Sequence, residues 1–130
     1  VIQMSALEEA LKIWDNVDIN LIRKEAQLLT SLFIDKINDL KFDMKLISPR
    51  HSDQRGSQVA YVTKNAYEKM QALIDFGVIG DYREPNIMRF GFNPLYNSEE
   101  DIIKAVEILN KILKDNLWKN NKYSKRKLVT

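Results

Sequence analysis

The 130-residue chain contains no cysteine, one histidine, four glycines and three prolines. The absence of cysteine excludes disulfides, thiolate nucleophiles and thiolate-bound metals. With His51 as the sole imidazole, no metal-ligand spacing exists, and no Ser-His-Asp grouping can be read from residue order. Gly56, Gly80 and Gly91 stand apart, so no glycine-rich loop cradles a phosphate. No apolar run approaches the roughly 20 residues of a membrane span. No basic segment followed by an apolar stretch marks a secretory leader, so the expected location is the cytoplasm and no membrane partner is expected.

What is present describes one globular domain. Hydrophobic residues make up 45% of the chain, enough to build a core at this length. Net charge is +2, but Lys119, Lys122, Lys125, Arg126 and Lys127 all follow Trp118, and without them 15 basic residues face 18 acidic ones. The body is therefore mildly acidic, which argues against a nucleic-acid surface, and residues 119–130 read as a solvated, flexible basic tail. The chain begins at Val1 without an initiator methionine and enters helix-forming sequence almost at once, which suggests a piece of a longer polypeptide.

Periodicity places the elements. A capping box at Ser5 and Glu8 opens a first helix with Leu7, Ala10, Leu11 and Trp14 as its packed stripe. Asp18 caps a second helix, to about Ile37, packed through Ile22, Ala26, Leu29, Phe33 and Ile37. Lys41 to Ile47 alternates as a half-buried strand, the polar stretch from Ser48 to Gly56 is a loop, and Gln58 to Thr63 is the hairpin partner strand. Asn65 and Glu68 start a third helix that carries Tyr67, Met70, Leu73 and Ile74 and closes on Gly77. Val78 to Gly80 reads as a short strand, Ile87 to Phe92 as a longer one. Ser98 with Asp101 caps a last helix, packed through Ile102, Val106, Leu109 and Leu113 and running to about Leu117. The order α-α-β-β-α-β-β-α predicts an α+β, sandwich-like fold: a small, mainly antiparallel sheet with helices on one face. Residues 1–40 form a helical approach and 41–118 the small domain.

Chemistry concentrates between Asp81 and Asn97, DYREPNIMRFGFNPLYN. Met88, Phe90 and Phe92 share one face of the strand, and Arg89 takes the other. A guanidinium there can bind a carboxylate through two charge-assisted hydrogen bonds, and Gly91 on the same face leaves room for a ligand. It can equally form a structural ion pair with Asp81 or Glu84, and both readings stand. Arg83 and Glu84 before Pro85 read as a turn-stabilising ion pair. Tyr96 and Asn97 can order the loop beyond Pro94. His51, Arg50 and Arg55 read as solvated loop side chains, and Arg55 and Gln58 receive no role.

Two stretches, SPRHSDQRGSQVAYV and ALIDFGVIGDYREPNIMRFGFNPLYNS, resemble the C-terminal region of bacterial kynureninases. The helical lead SALEEALKIWDNVDINLIRKEAQLLTSLFIDKI is similar to the segment before it, so the resemblance runs from about Met4 to Trp118. It implies the small C-terminal domain of a pyridoxal-phosphate (PLP) enzyme of the aspartate-aminotransferase fold. That family consists of cytoplasmic homodimers which hydrolyse kynurenine to anthranilate and alanine in tryptophan catabolism. By resemblance Arg89 is the arginine that clamps the substrate carboxylate. The Schiff-base lysine, the phosphate ligands and the acid facing the pyridine nitrogen match nothing here, so no catalytic, cofactor-binding or metal residue is expected in this chain. Alternatives are the corresponding domain of an aminotransferase or desulfurase, the latter disfavoured by the lack of cysteine, or a stand-alone α+β binding module.

Overall fold

In the computed structural model, which describes residues 1–126, the elements follow the expected order. They are α1 (Ile2–Leu11), α2 (Ile19–Asp39), β1 (Lys45–Leu46), β2 (Gln58–Val62), α3 (Ala66–Asp75), β3 (Asp81–Arg83), β4 (Ile87–Gly91) and α4 (Glu99–Lys114). The strands form one sheet in the order β1-β2-β4-β3, antiparallel throughout. The fold is α+β as expected, and the β1–β2 hairpin pairs as read.

Alternation decides which sheet face is covered. Val59, Tyr61, Met88 and Phe90 point inward and are buried, joined by Phe92 just past β4. They meet Leu29, Phe33, Ile34 and Ile37 of α2, Met70 and Leu73 of α3, and Ile102, Val106, Leu109 and Ile112 of α4 in one core. Phe33 is its hub, with ring centroids 4.9 Å from Phe90, 5.1 Å from Phe92 and 6.3 Å from Tyr61. Phe42, Met44 and Leu46 pack against this core, but of the strand expected over residues 41–47 only Lys45–Leu46 forms. Gln58, Ala60, Val62, Arg89 and Gly91 alternate with the buried set and occupy the open face.

Caps fix the starts of α2 and α4 and the end of α3. Asp18 accepts from the Asn20 amide at 2.8 Å, and Ser98 and Asp101 form the expected capping box. Gly77, at φ +89°, ends α3 in a Schellman motif, with Gly77 N–H donating to Ile74 O and Val78 N–H to Leu73 O. That bond commits Val78 to closing the helix. The strand expected at Val78–Gly80 therefore forms three residues later, at Asp81–Arg83.

Several expectations of detail fail. Ser5 does not cap: α1 already begins at Ile2, and the Ser5 hydroxyl donates back to Val1 O at 3.3 Å. Leu7, Ala10, Leu11 and Trp14 are exposed, and α1 buries no residue. Asn65 precedes α3 as expected, but in the left-handed region and without a side-chain cap, and Ile74, expected in the packed stripe, is exposed. The last helix stops at Lys114, because Asn116 turns left-handed and a short 3-10 segment, Leu117–Lys119, follows. Residues expected in the solvated tail are partly tied down. Tyr123 is buried, its hydroxyl donates to Asp75 Oδ2 at 3.0 Å beside Lys122, and Arg126 pairs with Glu84. Lys127 and the rest of the expected tail lie outside the described residues.

Candidate functional site

Strand register builds the site. Asp81 of β3 lies opposite Arg89 of β4, and Ala60 of β2 lies opposite Arg89 on its other side. The small Ala60 side chain and the bare Gly91 leave the floor open around the guanidinium. Arg89 lines a cleft of about 480 Å³ with Asp81, Gln58, Ser57, Asn93 and Tyr96. The Arg89 side chain is 29% exposed, so it is partly desolvated yet reachable.

Arg89 Nε donates to Asp81 Oδ2 at 2.9 Å, and Arg89 Nη2 donates to the same oxygen. Arg83 Nε donates to that oxygen as well, at 3.2 Å. Two cations thus share one anion. Burial pushes the Asp81 carboxyl up, but the hydrogen bond and charge of Arg89, then those of Arg83, outweigh it and hold it below the usual carboxylate range. The pair therefore persists above that range and is lost only as pH falls through the lowered value. Asp81 takes up one edge of the Arg89 fork, and Nη1 makes no hydrogen bond among the described residues. Ion pair and anion clamp are compatible.

The loop beyond β4 frames the rim. Asn97 Oδ1 accepts from the Asn93 amide at 2.8 Å, and Asn93 Oδ1 accepts from the Leu95 amide at 3.0 Å. Asn97 orders the turn, as expected, whereas Tyr96 stands 74% exposed at the cleft. Ser57 O accepts from the Phe92 amide at 2.8 Å, and both residues line the cleft. Gly80 sets how closely β3 approaches β4, since a Cβ there would lie 2.6 Å from Met70 Cε and 2.9 Å from Arg89 O. Met70 can swing aside, but the Arg89 carbonyl belongs to the ladder. Gly80→Ala is expected to cost about 1–3 kcal/mol through overpacking, read as a lowered thermal midpoint.

Other candidate residues fall elsewhere. Arg83 and Glu84 do not pair with each other: Arg83 joins Asp81, and Glu84 joins Arg126, because side chains two apart on a strand share a face while neighbours do not. His51 and Arg50 are exposed, as expected. Arg55, read as solvated, is 6% exposed. Its Nε donates to Thr30 Oγ1 at 3.2 Å, its Nη2 to Ser31 Oγ at 2.7 Å, and its Nη1 to the carbonyls of Pro49 and Arg50. Burial, then the charge of Arg23, lowers its pKa. Arg23 and Gln27 hold the same loop from α2 through the carbonyls of Arg55, Ser52 and Asp53.

The cleft does not fit PLP as a resident cofactor. No lysine lines it, and Lys69, buried on α3, donates to Thr63 Oγ1 at 2.7 Å with its ammonium 5.4 Å from the Trp118 ring centre. Among the described residues no cluster of carboxylates and histidine can hold a metal ion, and no helix is long and apolar enough to cross a membrane.

Sequence reasoning named Arg89 and offered Asp81 or Glu84 as its ion-pair partner without choosing between them, and it gave no role to Gln58, a polar group on the cleft wall. The signal for both was parity: Asp81 and Arg83 share a face, as do Gln58 and Ala60. The remaining step, which strand lies beside which, was not in the pattern.

The architecture recurs as one part of longer chains. Among solved structures it is similar to a NifS-like protein, with TM-score 0.63 and 15% identity, covering 74% of this chain and 29% of that one. It is also similar to 8-amino-7-oxononanoate synthase from Francisella tularensis, with TM-score 0.58 and 23% identity, covering 82% of this chain and 31% of that one. The family model for the kynureninase C-terminal domain matches residues 22–109, and the chain belongs to that family. A kynureninase from Burkholderia mallei is 41% identical over 132 residues, covering 100% of this chain and 32% of the relative. One from Pseudomonas fluorescens is 38% identical over the same shares. The chain spans about a third of the length of the relatives it matches.

Proposed function

We propose that this chain is the substrate-clamping C-terminal domain of a kynureninase, which uses PLP to hydrolyse L-kynurenine to anthranilate and L-alanine in tryptophan catabolism. Arg89 receives the substrate α-carboxylate. Residues 1–40 lead into a small domain at 41–118, and the parent enzyme is a cytoplasmic homodimer whose partner is this small molecule, with no nucleic acid or membrane involved. The observation that carries the reading is an arginine held along one edge by Asp81 on the open face of the sheet, lining a cleft, with Nη1 making no hydrogen bond among the described residues. The exposed stripe of α1, with Met4, Leu7 and Leu11 along a groove of about 800 Å³, fits a surface covered by the remainder of a longer chain.

PLP and the groups that act on it are assigned to the remainder of the parent, since the residues here do not fit the cofactor. The parent is expected to release anthranilate from kynurenine, followed by its fluorescence. Failure of the parent to do so with kynurenine, together with turnover of another amino acid, favours a different reaction on the same fold. This chain alone, mixed with PLP, is expected to show no stable aldimine absorbance and no turnover. A band that borohydride fixes at one lysine overturns the division of labour.

A further inference from the structure

Arg89 reaches into the cleft on a flexible side chain, and a flexible cation is a poor clamp, because ordering it on binding costs rotamer entropy. The fold removes that freedom before a ligand arrives. Ladders on both sides fix the Arg89 backbone, with Ala60 opposite it on β2 and Asp81 opposite it on β3. Asp81 Oδ2 then takes both Nε at 2.9 Å and Nη2, which sets the plane and rotation of the guanidinium as a single contact would not. Only the bare Gly80 lets β3 approach so closely.

A carboxylate beside a carboxylate-binding group would ordinarily weaken it. Here Arg83 donates to the same Asp81 oxygen at 3.2 Å, so two guanidiniums and one carboxylate leave a single positive charge for a ligand. Arg126 engages Glu84, the nearest acid along the turn, and removes it as a competitor for Arg83.

We infer that Asp81 is a positioning residue for substrate binding, holding the Arg89 fork by its Nε edge so that its Nη1 end is presented to an incoming carboxylate. This rests on the clamp reading of Arg89. Asp81 does not touch the ligand; it acts through Arg89 alone.

A double-mutant cycle in the full-length parent tests it, with KM for L-kynurenine as readout and the inhibition constant of the decarboxylated amine analogue as control. Asp81→Asn is expected to raise KM about tenfold, the size of one charge-assisted hydrogen bond, with kcat nearly unchanged. The control inhibition constant is expected to stay fixed, since that analogue has no carboxylate to clamp. In an Arg89→Ala background, Asp81→Asn is expected to have no further effect, because its partner is gone. Both constants belong to the folded fraction, so partial unfolding does not imitate the result. If Asp81→Asn shifts substrate and analogue alike, or adds its full effect in the Arg89→Ala background, the positioning role is overturned. If Arg89→Ala itself leaves KM unchanged, the clamp reading falls first, and with it this inference.

Discussion

Arg89→Ala in the parent enzyme is expected to raise KM for kynurenine by about 10²–10³-fold while leaving the affinity for PLP largely intact. Each hydrogen bond from a guanidinium to a carboxylate is worth about 1.5–3 kcal/mol, and the fork can make two, so the loss approaches 3–4 kcal/mol. At about 1.4 kcal/mol per factor of ten, that gives the stated range. The effect falls on binding because the carboxylate is recognised in the ground state and in the transition state alike, which moves KM more than kcat. Stability should change little. The Arg89–Asp81 pair is part-exposed, and Asp81 retains Arg83 when Arg89 is gone. Arg89→Lys is expected to recover less than a tenth of the loss, since an ammonium cannot engage Asp81 along one edge and a ligand along another. Initial rates of anthranilate formation across kynurenine concentrations measure all three proteins. A KM within twofold of the parent's for Arg89→Ala removes this residue from the site.

The face that Arg89 occupies was legible because a strand has period two and Met88, Phe90 and Phe92 are large and apolar. Nothing beyond that face was fixed by pattern. The choice between ion pair and ligand clamp stayed open while the strand beside β4 was not known. It dissolves once β3 is placed beside β4, since a guanidinium has more than one edge and Asp81 uses only one. The helices that carry the core were legible for a similar reason: their stripes are long, and Asp18 and Ser98 mark real starts. The Ser5 box failed because a local motif competes with helix that has already begun at Ile2. The stripe of α1 was read as packed but is exposed here, since periodicity names apolar positions without naming what covers them. Val78–Gly80 looked like a strand by composition, but the closing bond of α3 claimed Val78.

The loop from Ser48 to Gly56 held the largest misreading, and its error is instructive about polar stretches. Its composition is that of a solvated loop, yet Arg55 is buried in it. A trace of this was present on α2, where Arg23, Gln27, Thr30 and Ser31 form a polar stripe at helical spacing beside the apolar one. A polar stripe flanking a packed stripe asks for polar partners. The loop supplies them, through the Arg55 side chain and the carbonyls of Ser52, Asp53 and Arg55.

Arg55→Met is accordingly expected to destabilise this chain by about 3 kcal/mol, the cost of stranding partly buried acceptors that cannot all find water. Four hydrogen bonds end on Arg55, to Thr30, Ser31 and the carbonyls of Pro49 and Arg50. Thr30 is spared the worst, because its hydroxyl already donates to Ala26 O at 2.8 Å. Removing a buried cation also returns its desolvation penalty, which limits the net loss and makes Met, similar in volume and apolar, a fairer test than Ala. Arg55→Lys is expected to rescue little, as one ammonium cannot span α2 and two carbonyls at once. At about 4 °C per kcal/mol for a domain near this size, the midpoint should fall by roughly 12 °C. Circular dichroism through the transition reads it, and a fall of less than about 2 °C would show that the guanidinium only fills space. The loss reaches the site as well as the core. Ser57, two residues on, accepts from the Phe92 amide and lines the Arg89 cleft, so freeing the loop loosens the cleft wall.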